Sequence, residues 1–457
     1  MSIVSLLLLT ILQFIAGIGI LSLFNIRLRN GIKFPVALLL GVAVCSLVPF
    51  LLQLLYIPLS LLNVMSALVL TALLLNMRLE RSLPQWQAFF AGIRIRMKGY
   101  ELPFVLLLLF IFAVSAWRCY YYPPYPRDLT SGPEVIAEYA VREQTMVNSA
   151  FSVDLSSTNN PYKPAFITSL QIVYKYAGFP FGQVWLSVVF GAFLLLLYQL
   201  LCENVHRLLA GVLLLCFLAI PVMYAYTFIV LFDYTNAVFF FLSVYFLTLY
   251  DRNKAYNYLA FAGFIMGIAT YVRSETLVLA CFFLPLVLYM QAGSWRITGR
   301  QVLNSSVFVL PPVILYLLSI TLYNGYYLPQ VYEVGGLVNP HLLDLHPFFD
   351  RFLKMHTRLI FSSWGFSLYG YFIPLFLALL LAEAICYRLR FSRMAGIWLY
   401  AVLVVYLGLP FLGFLLPLMD LDNSTKRALF KIFPPMLLYL SHNRLLTGLS
   451  GRLSKLG

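Results

Sequence analysis

Charge is scarce in this chain. Of its 457 residues 11% are Asp, Glu, Lys or Arg, and only 17 carry carboxylates, well below the roughly 25% of charged residues usual in soluble domains. An ordinary water-soluble domain is thereby excluded. Histidine is as sparse, with five residues, and the six cysteines (Cys45, Cys119, Cys202, Cys216, Cys281 and Cys386) lie in or beside apolar runs without metal-ligand spacing. Neither a disulfide framework nor a structural zinc site is expected. The chain also lacks a Walker A pattern, a GxGxxG turn, an internal repeat and a low-complexity tract, which argues against an ATP-driven pump and a dinucleotide domain.

What fills the chain is apolar: 62% hydrophobic residues, 17% aromatics and a mean hydropathy of +0.87. Runs long enough to cross a bilayer, about 17 to 25 residues, begin near Ile3, Phe34, Ile57, Pro103, Gln183, Leu209, Thr235, Tyr256, Thr276, Val302, Gly365, Ala395 and Ala428. The expected fold is all-α, a polytopic membrane protein of about thirteen transmembrane helices. It divides into an N-terminal three-span segment (1–101), a core (102–441) with external loops at 122–182 and 324–364, and a basic tail (442–457). The first run reads as a retained span, because no basic residue precedes it and no small-residue cleavage pattern follows.

Basic clusters alternate with these runs: Arg27, Arg29 and Lys33; Arg78 to Lys98; Arg252 and Lys254; Arg296 and Arg300; Arg388 to Arg393; Arg444 to Lys455. Such clusters mark the cytoplasmic side. All of them fall there only if 162–178 does not cross, and its Lys163, Gln171, Lys175 and aromatics suit a helix lying at the outer interface. The whole net charge of +14 is then cytoplasmic, where orientation and contact with the lipid bilayer account for it, and nucleic acid is not expected as a partner.

Five of the carboxylates, Asp128, Glu134, Glu138, Glu143 and Asp154, fall in the first external loop. Asp128 follows the stiff entry YYYPPYPRD, and as a site residue it is a general base or a ligand of a divalent cation; otherwise it is a solvated carboxylate paired with Arg127. Glu134 and Glu138 share one helix face in SGPEVIAEYA, which favours a polar helix surface, with Glu134 kept as a secondary candidate. Asp233 sits between two apolar runs in YTFIVLFDYTNAVFFF, where a carboxylate needs a partner or a task, a cation site shared with Asp128 or an ion pair with Arg273. Lys163 in NNPYKPAF, Arg273 in ATYVRSETLVLA, and Lys426 with Arg427 in DNSTKRALFKIFPP are candidate phosphate-binding residues. The second external loop carries Glu333, a further candidate, and His341, His346 and His356, which lack metal spacing.

Taken in order, an external Asp after an early span, a KP-containing helix, a further Asp at the next outer junction, YVRSE, and a late KR followed by PP resemble the GT-C class of integral-membrane glycosyltransferases. That class includes the protein O-mannosyltransferases and the lipid A aminoarabinose transferase. The resemblance runs from about Pro103 to Leu440. It implies that Asp128 is the catalytic or metal-binding acid of the first loop, Asp233 the second acid, and Lys163 the lysine of a KPP signature, which reads KPA here. It implies a polyprenyl-phosphate-linked sugar as donor, an extracytoplasmic glycan, lipid or protein as acceptor, inversion at the anomeric centre and a magnesium or manganese ion held by Asp128 and Asp233. The expected location is the bacterial inner membrane, with the site facing the periplasm. Two other readings stand beside it: an oligosaccharide polymerase or ligase relying on Arg351, Lys354, His356 and Arg358, and a multi-pass transporter or flippase.

Overall fold

Without water to bond its amides, a chain this apolar has one economical backbone, the helix, whose hydrogen bonds are all internal. The computed structural model describes residues 2–91, 98–153, 163–292, 298–329, 339, 343–388, 390–416 and 420–455, and among them no strand occurs. The chain opens with α1 (Ser2–Leu23), α2 (Asn30–Leu54), α3 (Leu61–Asn76), α4 (Leu79–Ala91) and α5 (Leu102–Tyr121). A cluster of short helices follows, α6 (Arg127–Thr130), α7 (Pro133–Glu143), α8 (Ala150–Val153) and α9 (Phe166–Tyr176). Next come α10 (Val184–Cys202), α11 (Arg207–Leu218), α12 (Pro221–Ala225), α13 (Phe232–Asn253), α14 (Tyr256–Val272), α15 (Thr276–Phe282), α16 (Leu284–Ala292) and α17 (Gly299–Tyr316), which widens into a π-helix over Leu317–Tyr327. The rest comprises α18 (His346–Lys354), α19 (Ser363–Tyr369), α20 (Phe372–Tyr387), α21 (Arg393–Leu415), α22 (Lys426–Ala428), α23 (Phe433–His442) and α24 (Arg444–Leu453).

Seven helices among the described residues are long and apolar enough to cross a membrane, or up to nine if α3 with the start of α4 and α19 with α20, bent by 95° and 91°, each count as one span. The protein is therefore a polytopic membrane protein. The other expected crossings, near Leu209, Tyr256, Thr276 and Ala428, fall on shorter helices: α11, α14, the broken pair α15 and α16, and the α22–α23 stretch. They are apolar but shorter than the seven, and α14 is buried over most of its length while α15 and α16 leave Phe282 and Tyr289 exposed.

The centre of the bundle is built from α2, α10, α13 and α14, with α5 and α17 turning most of their surface outward. The helix expected to lie along the outer interface, α9, is instead buried from Phe166 to Tyr174 and packs on α2 and α7. Its eleven residues span about 16 Å at roughly 1.5 Å per residue, half of a bilayer core. Polar contacts bind it to the first hundred residues: Gln13 donates to the Tyr174 hydroxyl at 3.0 Å, and Ser46 donates to the Phe166 carbonyl at 2.9 Å.

Ion pairs gather at the bundle ends. At the end carrying the basic clusters, Arg29 meets Glu203 at 2.8 Å, Arg207 meets Glu101 at 2.8 Å, and Arg393 and Lys254 converge on Asp251 at 2.5 and 2.7 Å. The opposite end holds α6, α7, the starts of α10 and α13, and the loops examined below.

Close helix approach in the N-terminal part rests on two glycines. A Cβ at Gly17 would lie 1.8 Å from the Ala37 carbonyl oxygen, and one at Gly41 would lie 2.0 Å from that of Gln13, so α1 and α2 touch backbone to backbone. Gly41→Ala forces this crossing apart and is expected to cost roughly 1 to 3 kcal/mol. Thermal unfolding in detergent should show the lowered midpoint, and an unchanged midpoint would contradict the close crossing.

Candidate functional site

Prolines set the stage for Asp128. Pro123, Pro124 and Pro126 hold the chain extended as it leaves α5, with Pro126 at φ −62 and ψ 129, and α6 then begins at Arg127. Leu129 plugs into the core while Asp128 faces the opening. Asp233 is the second residue of α13, where the positive end of the helix dipole favours a carboxylate. Arg273 ends α14 in extended conformation. Near the C-terminus, Asp420 accepts from the Asn423 and Ser424 amides at 3.1 and 2.7 Å, and this capped turn presents Arg427.

These elements bring seven ionised side chains into one file of alternating sign. Lys163 Nζ lies 3.6 Å from Asp128 Oδ2, and Arg427 donates to the same oxygen at 2.9 Å. Arg427 Nε lies 3.7 Å from Asp233 Oδ2, whose other oxygen contacts Arg273 directly. Arg273 Nε continues to Glu275 at 2.7 Å, and Lys431 closes the file 3.6 Å from that carboxylate. Four cations face three carboxylates, so the file is one positive charge in excess.

The file has an open end and a closed end. The side chains of Lys163 and Asp128 are 32% and 26% exposed, against 2% for Asp233 and 0% for Lys431. Both cations reach Asp128 through Oδ2, leaving Oδ1 without a partner among the described residues. Burial pushes the Asp128 carboxyl up, but the Lys163 ammonium and the Arg427 guanidinium outweigh it and hold it below the usual carboxylate range. Burial drives the Lys163 ammonium down to about 8; Asp128 opposes that shift, while Arg427 and Arg273 add to it. The Phe232 ring, 5.6 Å from Nζ, forms the apolar wall behind it.

Asp128, Asp233, Lys163, Arg273 and Arg427 thus come together, with Arg427 and not Arg127 as the partner of Asp128. The other expected residues do not join them. Lys426 stacks its ammonium 5.1 Å over the Trp364 ring. Glu134 belongs to a second cluster: Lys175 lies 2.7 Å away and Gln171 donates to it at 2.5 Å, fastening α7 to α9. Burial lifts the Glu134 carboxyl, with Lys175 opposing. Glu333, His341 and Asp154 lie outside the described residues. His356 hydrogen-bonds the Phe352 carbonyl at 2.7 Å and the Tyr406 hydroxyl.

A divalent cation bridging Asp128 and Asp233 does not fit this arrangement, because Arg427 stands between the two carboxylates and Arg273 holds the other oxygen of Asp233; among the described residues no group of three acidic, His or Cys side chains converges. Lys431 was not singled out from sequence, although a lysine inside the apolar run LFKIFPP is the kind of signal that marks a buried functional or structural charge. Comparison with protein-family models, with curated proteins and with solved structures finds no match.

Because burial brings the Lys163 ammonium down to about 8, Lys163 is still mostly charged at pH 7, with roughly a tenth of it present as the free amine. Acetylation followed by peptide mass spectrometry should give a rate rising to half its plateau near pH 8. Asp128→Asn removes the charge that raises this value, so the midpoint should then move lower. A midpoint at the ordinary lysine value would overturn the placement.

Proposed function

We propose that this protein is a membrane glycosyltransferase of the GT-C kind, moving a sugar from a polyprenyl-phosphate-linked donor to an extracytoplasmic acceptor. The observation that carries the reading is the open end of the charge file: a carboxylate with one free oxygen beside a lysine and an arginine that a phosphate can engage. An apolar groove of about 190 Å³ lies between α20, α21 and α23, lined in part by Phe376, Leu380, Val402, Leu403, Ile432 and Met436; it is an apolar surface of the kind a hydrocarbon chain takes.

The chemistry follows from the exchange of partners. The donor phosphate, drawn by the excess positive charge, takes hydrogen bonds from Lys163 and Arg427 that Asp128 Oδ2 holds in its absence. Asp128 then loses the cations that depress its basicity, and its carboxylate accepts the proton of the acceptor hydroxyl as that oxygen attacks the anomeric carbon. The glycosidic C–O bond to phosphate breaks, and Lys163, Arg427 and Arg273 stabilise the charge left on the departing phosphate. A single displacement inverts the anomeric centre. No step needs a bound metal, in keeping with the arginine-bridged acids.

The polymerase reading relied on late-loop basic residues, but Lys354 pairs with Asp350 at 2.6 Å and His356 is held by Tyr406 and the Phe352 carbonyl. A transporter would need ionisable groups along a path through the bundle; the ion pairs described here lie at its two ends.

Asp128→Asn is expected to lower transfer by about 10²-fold or more, the usual contribution of a general base. The assay is transfer of labelled sugar from polyprenyl-phosphate sugar in proteoliposomes, with thermal unfolding as the control for folding. Full transfer by the variant would remove Asp128 from the mechanism, and substrate flux without transfer by the native protein would favour a transporter.

A further inference from the structure

The same end of the bundle has a second opening, polar and distinct from the charge file. It lies where the turn after α2 meets the end of α7, holds about 340 Å³, and is lined by Gln53, Tyr56, Pro58, Glu143, Gln144 and Thr145, with Ile57 between. That volume is in the range of small-ligand sites. Among the described residues no Lys or Arg lines it, and its one charged group, Glu143, disfavours a phosphate or another anion.

Its groups are held in place by hydrogen bonds within the turn. Gln53, 5% exposed, accepts at Oε1 from the Thr145 hydroxyl at 3.1 Å and the Met146 amide at 2.7 Å. Its amide nitrogen is left as a donor without a partner among the described residues. The Glu143 carboxylate accepts from the Ser149 amide at 3.0 Å and from the Ser149 hydroxyl. Tyr56 lies over Tyr327, ring centres 5.1 Å apart and planes at 27°, and Tyr327 is fixed by its hydroxyl donating to the Leu54 carbonyl at 2.8 Å. The Tyr56 side chain is nonetheless 75% exposed.

Tyr56 and Gln144 have φ of 56° and 58° and are the left-handed residues that end α2 and α7, an ordinary way for a helix to stop; the two helix ends thereby set the turns that line this pocket. An exposed planar ring next to a fixed amide donor and a fixed carboxylate acceptor matches the two faces of a sugar: an apolar C–H face that stacks and hydroxyls that donate and accept.

We propose that this pocket is a subsite for a neutral saccharide, the distal part of a glycan acceptor. The inference rests on the glycosyltransferase reading and narrows the acceptor to a chain of several sugars. Helix α7 runs between the two sites, its eleven residues spanning about 16 Å at roughly 1.5 Å per residue. A glycan seated at Tyr56 therefore reaches Asp128 only if it is several units long.

The test uses the full chain in nanodiscs with maltohexaose, mannohexaose and chitohexaose as probes, read by saturation-transfer NMR. At least one hexaose should bind. Tyr56→Gly, which relieves the left-handed backbone while deleting the ring, should unfold at the same or a higher temperature and bind that hexaose at least tenfold more weakly; Tyr56→Trp should keep binding. Absence of binding by all three, or native binding by Tyr56→Gly, overturns the subsite. Hexaose binding that depends on Tyr56, together with failure of sugar transfer by the native chain, would retain the saccharide site and overturn the glycosyltransferase reading alone.

Discussion

Arg427 is the residue on which the site depends. It touches Asp128, 299 positions earlier in the chain, and faces Asp233 on a third element, so one guanidinium joins the segment after α5, the head of α13 and the turn before α22. Unpaired, a carboxylate as buried as Asp233 would be expensive or would be protonated. Alternation removes that difficulty, because every charge in the file has an opposite charge on at least one side. It also makes the assembly cooperative: removing one member of a buried pair leaves its partner uncompensated, at a cost of about 3 to 5 kcal/mol. The surplus of one cation leaves the file with a net positive charge.

The all-helical membrane fold was legible in composition, and the separation of charge into two ends followed from the alternation of basic clusters with apolar runs. Five of the residues singled out by motif order, Asp128, Lys163, Asp233, Arg273 and Arg427, meet in space. Their pairing was not readable, because Arg427 and Asp128 are neighbours only after the bundle has closed. The same limit applies to the arginine that stands between Asp128 and Asp233, which is brought there from the far end of the chain. Helix α9 was misplaced for a related reason. Its mixture of lysines, glutamine and aromatics is what an interface selects, yet Gln171 and Lys175 find their partners in Glu134, Glu138 and the Trp185 ring nitrogen, within protein. Short apolar helices such as α11 posed the converse problem, since burial in protein and burial in lipid demand the same side chains.

Rigid support explains why the open end of the file is well placed for chemistry. Asp128 is carried on a proline-stiffened segment, Asp233 on a long helix packed on nearly all sides, and Arg427 on a turn capped by Asp420. Only Lys163 stands at the edge, with a flexible stem and a partly exposed head. The group best able to follow an incoming ligand is therefore the one nearest the opening, while those that set its position lie deeper.

Helix α2 has a consequence for how the protein is made. It leaves the ribosome early, but its polar side chains are satisfied by groups that arrive much later: Ser46 by the Phe166 carbonyl and Gln53 by Thr145 and Met146. Until α7, α9 and α10 emerge, a helix that finishes in the protein interior must wait against lipid. Biogenesis is thus not a simple addition of finished hairpins from one end. Helix α2 is enclosed only after α7, α9 and α10 have followed it, and that interval is where an insertase or chaperone has something to protect.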